Sequence, residues 1–205
     1  VLNRERDAPG DKRERLVTVI FDESEKLLEM IQSVFQAQVL TVDAASIERR
    51  PVPVQDLFRK ALAPLRDLAK SGEVKLQVLI PSGFESIHCE PESMEAALRA
   101  MVKNGIEFNR PGGEVKLEVR RVVRGQDHWL QLRVSDTGGG IPEADLPLVF
   151  DAFWQGDDSA AGKRYGIGLG LAIAKRVAEN HGGAISIDSA VGRGTEVVLA
   201  IPQQS

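Results

Sequence analysis

The sequence has few of the residues that several classes of function require. It contains one cysteine, Cys89, which excludes an internal disulfide framework, and three histidines, His88, His128 and His181. No apolar run approaches the roughly 20 residues of a membrane-spanning helix. The net charge of −4 lacks the basic surplus of nucleic-acid-binding proteins, so we expect no nucleic-acid partner. The first residue is Val1 rather than Met and no signal-peptide pattern follows it, so we expect a piece of a longer protein.

Hydrophobic residues make up 42% of the chain and charged residues 27%, as in an ordinary globular protein. Apolar steps of three and four residues predict a long amphipathic helix from about Lys12 to about Thr41, which needs a partner helix. Prolines favour a linker at Arg49–Val54. Beyond it, the patterns predict helices Val54–Ala69, Glu92–Phe108 and Leu169–His181, and strands Val74–Ile80, Glu114–Val123, Trp129–Ser135, Ala184–Asp188 and Glu196–Ile201.

These elements mix without strict alternation of strand and helix, and two pairs of strands are spaced like hairpins. The predicted fold class is therefore α+β. We expect a two-layer α/β sandwich, with a mixed sheet covered by helices on one face, preceded by the long N-terminal helix.

A first glycine-rich segment, Asp136-Thr137-Gly138-Gly139-Gly140-Ile141, directly follows a predicted strand. An aspartate at a strand end can accept a hydrogen bond from an exocyclic amine such as that of adenine. Adjacent glycines let the backbone approach a flat ring. Taken alone, the segment is more typical of a glycine-rich turn capped by its aspartate.

A second segment, Gly166-Ile167-Gly168-Leu169-Gly170-Leu171, opens the last predicted helix. Backbone amides at a helix N-terminus form a site for phosphate groups. The spacing differs from the dinucleotide-binding fingerprint, and a single glycine-rich loop is weak evidence.

Three further features are ambiguous individually. Asn104 lies on helix Glu92–Phe108, where a solvated polar residue is the ordinary interpretation, although its carboxamide oxygen suits Mg²⁺. Aromatic residues three apart in Phe150-Asp151-Ala152-Phe153-Trp154 are more typical of a core than of a ligand contact. The small and polar segment Gln155–Tyr165 predicts a mobile lid.

The joint order of these segments resembles the N, G1, F and G2 boxes of the catalytic domain of sensor histidine kinases, in the gyrase, heat-shock chaperone and mismatch-repair ATPase superfamily. The resemblance covers about Pro51–Pro202, and the tail from His181-Gly182-Gly183 to Thr195 is similar to the family's closing hairpin. The segment Asp22–Ile31 resembles the second helix of its dimerisation hairpin. The implied domains are a partial dimerisation region at 1–48 and an ATP-binding catalytic domain at 49–205.

The resemblance implies that Asp136 binds the exocyclic amine of adenine, that Asn104 coordinates Mg²⁺, and that the glycines let the backbone approach the nucleotide. It also implies a hydroxyl contact from Thr195 at the adenine end and a phosphate contact from the lid. The full implied ATP-binding set is Asn104, Phe108, Asp136, Gly138, Gly140, Ile141, Lys163, Arg164, Gly166, Gly168, Leu169, Gly170, Leu171 and Thr195.

The sequence departs from the family's pattern at two positions. Four residues before Asn104, kinases carry another asparagine and hydrolytic relatives a glutamate that activates water, whereas this chain has Ala100. Three residues after Asn104, the family's lysine is replaced by Glu107, which we expect to point to solvent. No histidine lies upstream of Asp22–Ile31, so the phosphoacceptor is missing from the sequence and no catalytic residue is identified.

The resemblance implies an ATP:protein-histidine phosphotransferase domain that uses ATP and Mg²⁺, releases ADP and signals to a response regulator receiver domain. The full-length protein is expected to be a homodimer with this domain in the cytoplasm. A nucleotide-binding pseudokinase that acts as a scaffold is the alternative. A hydrolytic ATPase is disfavoured because Ala100 supplies no general base.

Overall fold

The computed structural model describes residues 17, 19, 47–124, 127–156 and 167–203. The strands are β1 (Arg50–Pro53), β2 (Lys75–Leu79), β3 (Ser86–Cys89), β4 (Glu114–Arg124), β5 (Asp127–Asp136), β6 (Ala184–Ala190) and β7 (Gly194–Gln203). The α-helices are α1 (Val54–Leu62), α2 (Arg66–Ser71), α3 (Pro91–Glu107) and α4 (Gly170–Asn180). No helix of this described part is long and apolar enough to cross a membrane.

Five strands form a mixed sheet in the order β2-β4-β5-β7-β6. The pair β2 and β4 is parallel, and the remaining neighbours are antiparallel. Strands β1 and β3 form a separate antiparallel pair. Strand β5 is central, so its C-terminal end at Asp136 lies in the middle of one sheet edge.

Buried apolar and more exposed residues alternate along the strands, and the apolar side chains lie on the face of the sheet that packs against the helices. In β5, Leu130, Leu132 and Val134 are buried, whereas the intervening residues are partly exposed. Residues on successive positions point to opposite faces, so the three apolar side chains form one wall of the core. Helices α1, α3 and α4 supply the other wall. The α+β sandwich expected from the sequence is confirmed.

Helix α3 is the central element of the helical layer. Its buried residues recur at helical spacing: Met94, Ala97, Leu98, Met101, Val102, Gly105 and Ile106. The carboxylate of Glu90 caps the N-terminus by accepting hydrogen bonds from the N–H groups of Glu92 and Ser93, and Pro91 occupies the first turn.

The sequence misplaced several elements. The predicted helix Val54–Ala69 is interrupted, because Pro64 lies in a 3₁₀ turn at Ala63–Leu65 between α1 and α2. The predicted linker contains strand β1, and β3 was not foreseen; both strands have four residues, too few for a periodic pattern. Of the predicted helix Lys12–Thr41, only Val17 and Val19 are described, and both are helical and exposed.

His181 joins the two main helices at one end. Its side chain is fully buried, its Nδ1 lies 2.7 Å from the carbonyl oxygen of Val177, and its Nε2 accepts a hydrogen bond of 3.0 Å from the N–H of Glu90. These partners require a neutral imidazole with its proton on Nδ1. Burial lowers the pKa of His181 below its ordinary value of 6.5.

His181 should make stability dependent on pH. Above about pH 6.5 the imidazole is neutral in both states, but below it only the unfolded chain takes up a proton, until the lower folded pKa is reached. The free energy of unfolding should therefore fall as the pH decreases through this window. The change His181→Leu should lower it at neutral pH by about 1–3 kcal/mol, because leucine has no acceptor for the N–H of Glu90.

Denaturant titrations at about pH 7.5 and about pH 5.5 measure both effects. The exposed His128 provides the control, since His128→Gln should leave both values close to those of the unchanged chain. An identical pH dependence in the chain with and without His181 would refute this assignment.

Candidate functional site

The candidate site is centred on Asp136, the last residue of β5. One carboxylate oxygen, Oδ1, accepts hydrogen bonds from the N–H groups of Gly138 at 2.8 Å and Thr195 at 3.2 Å. The other oxygen, Oδ2, accepts none from the described residues. Burial raises the pKa of Asp136 above its ordinary range, although the two N–H groups act in the opposite direction. The half-buried carboxylate thus presents one uncommitted acceptor oxygen.

The glycine-rich turn after Asp136 is held on both sides. The N–H of Gly139 donates to the carbonyl of Phe108, and the carbonyl of Gly139 accepts from the N–H of Gly192 at 2.7 Å. Gly140 has a φ of +71°, and a Cβ there would overlap the carbonyl oxygen of Ala190. The turn is therefore a close-packed element between the end of α3 and the β6–β7 hairpin.

Ser189 fastens the hairpin side of this turn. Its hydroxyl oxygen accepts from the N–H of Ile141 at 2.9 Å and lies 2.8 Å from Oγ1 of Thr195. Its hydroxyl also lies 3.0 Å from the carbonyl oxygen of Gly194. The hydroxyl of Thr195 is thus engaged with Ser189, and Thr195 supports Asp136 through its backbone N–H. The sequence contained Ser189 within the tail pattern but gave no sign of this bridge.

Asn109 fastens the helix side of the turn and was missed by the sequence analysis. Its Nδ2 donates to the carbonyl oxygens of Gly105 at 3.0 Å and Glu114 at 3.1 Å. Its Oδ1 accepts from the N–H of Arg110 and lies 3.3 Å from Oγ1 of Thr137. An asparagine directly after a helix is a common local signal, but its partners are set by tertiary structure.

Asn104 faces the start of α4. A Cβ on Gly170 would lie 3.4 Å from Oδ1 of Asn104 and 3.5 Å from Cβ of Ala100. At the adjacent position, a Cβ on Gly105 would lie 3.4 Å from Cβ of Asp136. Helix α3 therefore brings the asparagine, Gly170 at the start of α4 and the aspartate into one region.

The described part of the second glycine-rich segment is tied to the aromatic segment. Gly168 has a φ of +77°, its carbonyl oxygen accepts from the N–H of Phe153 at 2.9 Å, and a Cβ there would overlap the carbonyl oxygen of Trp154. Leu169 is buried in the core and Leu171 packs against it. These two leucines anchor the loop. Gly166, Lys163 and Arg164 lie outside the described residues, as does the predicted lid apart from Gln155 and Gly156.

Two expectations about individual side chains are wrong. Phe153 is 67% exposed, so this aromatic residue does not belong to the core. Glu107 does not point to solvent: its side chain is only 11% exposed, and its carboxylate lies 3.4 Å from Nζ of Lys103 one turn earlier. Phe108, which follows Glu107, is 47% exposed and bounds the turn through its backbone carbonyl.

Gly140 and Gly139 allow a matched test of the turn. Gly140→Ala should lower the free energy of unfolding by about 1–3 kcal/mol, because it forces a left-handed residue against the Ala190 carbonyl. Gly139→Ala should change it by less than about 0.5 kcal/mol, because a Cβ there meets nothing within 4 Å. Denaturant unfolding measures both values, and equal effects would contradict the described packing.

Comparison with known proteins agrees with the family resemblance found in the sequence. Residues 89–205 match the family described as histidine kinase-, DNA gyrase B- and HSP90-like ATPases. The chain is 32% identical over 197 residues to the circadian input-output histidine kinase CikA of Synechococcus elongatus, covering 95% of this chain and 26% of that protein. It is 26% identical over 188 residues to the sensor histidine kinase WalK of Bacillus subtilis, covering 92% of this chain and 30% of that protein.

Solved structures show the same fold. The mycobacterial sensor histidine kinase MprB superposes with a TM-score of 0.61 at 25% identity, covering 77% of this chain and 99% of that one. Full-length ShkA in complex with AMPPNP superposes with a TM-score of 0.76 at 23% identity, covering 99% of this chain and 41% of that one. The chain spans about a quarter to a third of the length of CikA and WalK. It belongs to the histidine kinase-, DNA gyrase B- and HSP90-like ATPase family, with a catalytic domain of the sensor histidine kinase type.

Proposed function

We propose that this domain binds ATP with Mg²⁺ and transfers the γ-phosphoryl group to a nitrogen of a histidine outside these 205 residues, leaving ADP. The observation that carries the proposal is the convergence of Asn104, Gly170 and Asp136 at one end of α3, with Ala100 beside them. A buried carboxylate with one uncommitted oxygen suits the adenine amine, and a helix that begins at a glycine suits phosphate oxygens.

The residues present fit ATP and a magnesium ion. Oδ2 of Asp136 would accept the adenine amine, and the turn at Gly138 and Gly140 would face the ring. The carboxamide oxygen of Asn104 would hold the ion, whose charge neutralises the phosphates when it is bound. Transfer requires the acceptor nitrogen in line with the leaving oxygen, so the domain contributes positioning rather than a nucleophile.

Ala100 favours transfer to a protein over hydrolysis. Its Cβ lies 3.5 Å from the position of a Cβ on Gly170, next to the proposed phosphate end of the site. A hydrolytic relative has its water-activating glutamate at this position, and a methyl group cannot take a proton from water. Bound ATP should therefore be hydrolysed slowly.

The three histidines are poorly suited to act as the acceptor. His181 is buried with both ring nitrogens engaged. His88 lies on β3 and His128 near the start of β5, at the end of the sheet away from Asp136. An acceptor on another segment, within a homodimer, is consistent with the sensor kinases that the chain resembles. A response regulator as the next phosphate acceptor and a cytoplasmic location, where ATP is available, form part of the same proposal.

A pseudokinase remains the alternative, and Glu107 favours it. This carboxylate is largely covered and lies one helical turn beyond Asn104, where it adds negative charge near the proposed triphosphate. The ion pair with Lys103 offsets part of that charge.

Asp136→Asn should raise the stability of the nucleotide-free domain but lower its affinity for ADP. Because burial raises the pKa of Asp136, the ionised carboxylate destabilises the nucleotide-free fold at neutral pH, and the asparagine variant should be the more stable protein. Its advantage should shrink as the pH falls through the raised pKa and the carboxylate becomes neutral. Its affinity for ADP should nevertheless drop by about 1.5–3 kcal/mol, because a charged acceptor is lost.

Calorimetric titration with ADP and denaturant unfolding as a function of pH provide the two readouts. Asp56→Asn is the matched control, because that carboxylate is exposed on α1, pairs with Arg59 and does not line the pocket around Asp136. Unchanged ADP affinity in Asp136→Asn would exclude this residue as the adenine contact.

Phosphotransfer itself can be measured with labelled ATP and a separately purified dimerisation hairpin that carries an acceptor histidine. Acid-labile label should appear on the hairpin and not on this chain. Asn104→Ala should slow the transfer at least about tenfold, and Glu107→Lys should accelerate it. Acid-labile label on the chain alone would refute the external acceptor, whereas ATP binding without label on either protein would favour the pseudokinase.

A further inference from the structure

We propose that the domain has a second binding site, for a small organic anion, at the end of the sheet opposite Asp136. A cavity of about 420 Å³ lies between β3 and the distal ends of β4, β5 and β7. This volume lies within the range of small-molecule sites. Asp136 and His128 lie near opposite ends of β5, roughly 26 Å apart along an extended strand. The cavity is therefore separate from the proposed nucleotide site.

The charge of the lining selects an anion. Arg121, His88 and His128 line the cavity, whereas no aspartate or glutamate of the described residues does. Glu85 and Asp127 are neighbours of lining residues in the chain but are not part of the lining. A planar guanidinium with two imidazoles nearby offers donors matched to a carboxylate or a phosphate ester.

Arg121 is held in place without being neutralised. Its guanidinium carbon lies 4.7 Å from the centre of the Phe84 ring, a cation–π arrangement that leaves the positive charge intact. Among the described residues, no carboxylate forms an ion pair with it. The guanidinium is therefore oriented and available for a ligand.

The remaining walls are fixed and partly apolar. The side chain of Gln203 joins β7 to β3, because its Oε1 accepts from the N–H of His88 at 3.0 Å and its Nε2 lies 3.4 Å from the carbonyl oxygen of His88. Leu130, which pairs with Arg121 on the same face of the sheet, is an apolar part of the lining. The cavity is larger than an inorganic phosphate ion needs, so the expected ligand combines one anionic group with a flat apolar part.

The strand geometry supplies a matched control. Arg121 pairs in register with Leu130 and faces the helical side of the sheet, where the cavity lies. The preceding Arg120 pairs with Gln131, faces the opposite side, and is bound to Glu118 at 2.9 Å. Replacing either arginine with glutamine removes one positive charge from the same strand, but only Arg121→Gln removes it from the cavity.

Phenyl phosphate is the probe. It is titrated into the whole chain saturated with ADP and Mg²⁺ and, separately, into the chain without nucleotide. Binding is detected by NMR from the signals of side chains. The imidazoles of His88 and His128 and the Gln203 amide should shift, with a dissociation constant in the millimolar range or below. Arg121→Gln should weaken binding by about tenfold, and Arg120→Gln by less than about twofold. The neutral benzyl alcohol should produce much smaller shifts.

The absence of shifts at these side chains up to about 10 mM probe would overturn the proposal. Equal weakening by both arginine variants, or equal shifts with benzyl alcohol, would also overturn it. Dispersed amide spectra check that each variant is folded. If Arg121→Gln unfolds the domain, the exposed His128→Gln provides the second variant, and an unchanged affinity there would count against the site. Shifts that appear both with and without ADP support the site whether or not the nucleotide proposal holds.

Discussion

One oxygen of the Asp136 carboxylate accepts hydrogen bonds from the backbone N–H groups of both Gly138 and Thr195. The remaining elements of the candidate site are arranged around this interaction. It ties the turn after the central strand to the start of β7. Burial makes the ionised carboxylate unfavourable, as its raised pKa indicates. A charge that costs stability and keeps one oxygen uncommitted is characteristic of a residue retained for binding.

The antiparallel arrangement of α3 and α4 determines which residues meet that carboxylate. At one end of the pair, His181 accepts the N–H of Glu90 and fixes the C-terminus of α4 against the N-terminus of α3. At the other end, Asn104 consequently lies beside Gly170. A buried neutral histidine far from the site thus helps to set the distance between the proposed metal ligand and the phosphate-facing helix.

The sequence predicted the α+β class and the five strands of the main sheet, because long periodic patterns and glycine-rich turns are local signals. It failed where tertiary contacts decide the outcome. The four-residue strands β1 and β3 form by pairing with each other. Pro64 interrupts a helix that the hydrophobic periodicity alone would continue. The hydrogen bonds of Asn109 with Thr137 and of Ser189 with Ile141 join residues distant in sequence.

The most direct measurement is a crystal structure of the chain with Mg²⁺ and a non-hydrolysable ATP analogue. Our account predicts the adenine amine within hydrogen-bond distance of Oδ2 of Asp136, the metal on Oδ1 of Asn104, and the phosphates next to the N-terminus of α4. An adenine ring bound elsewhere, or a metal held without Asn104, would contradict the account.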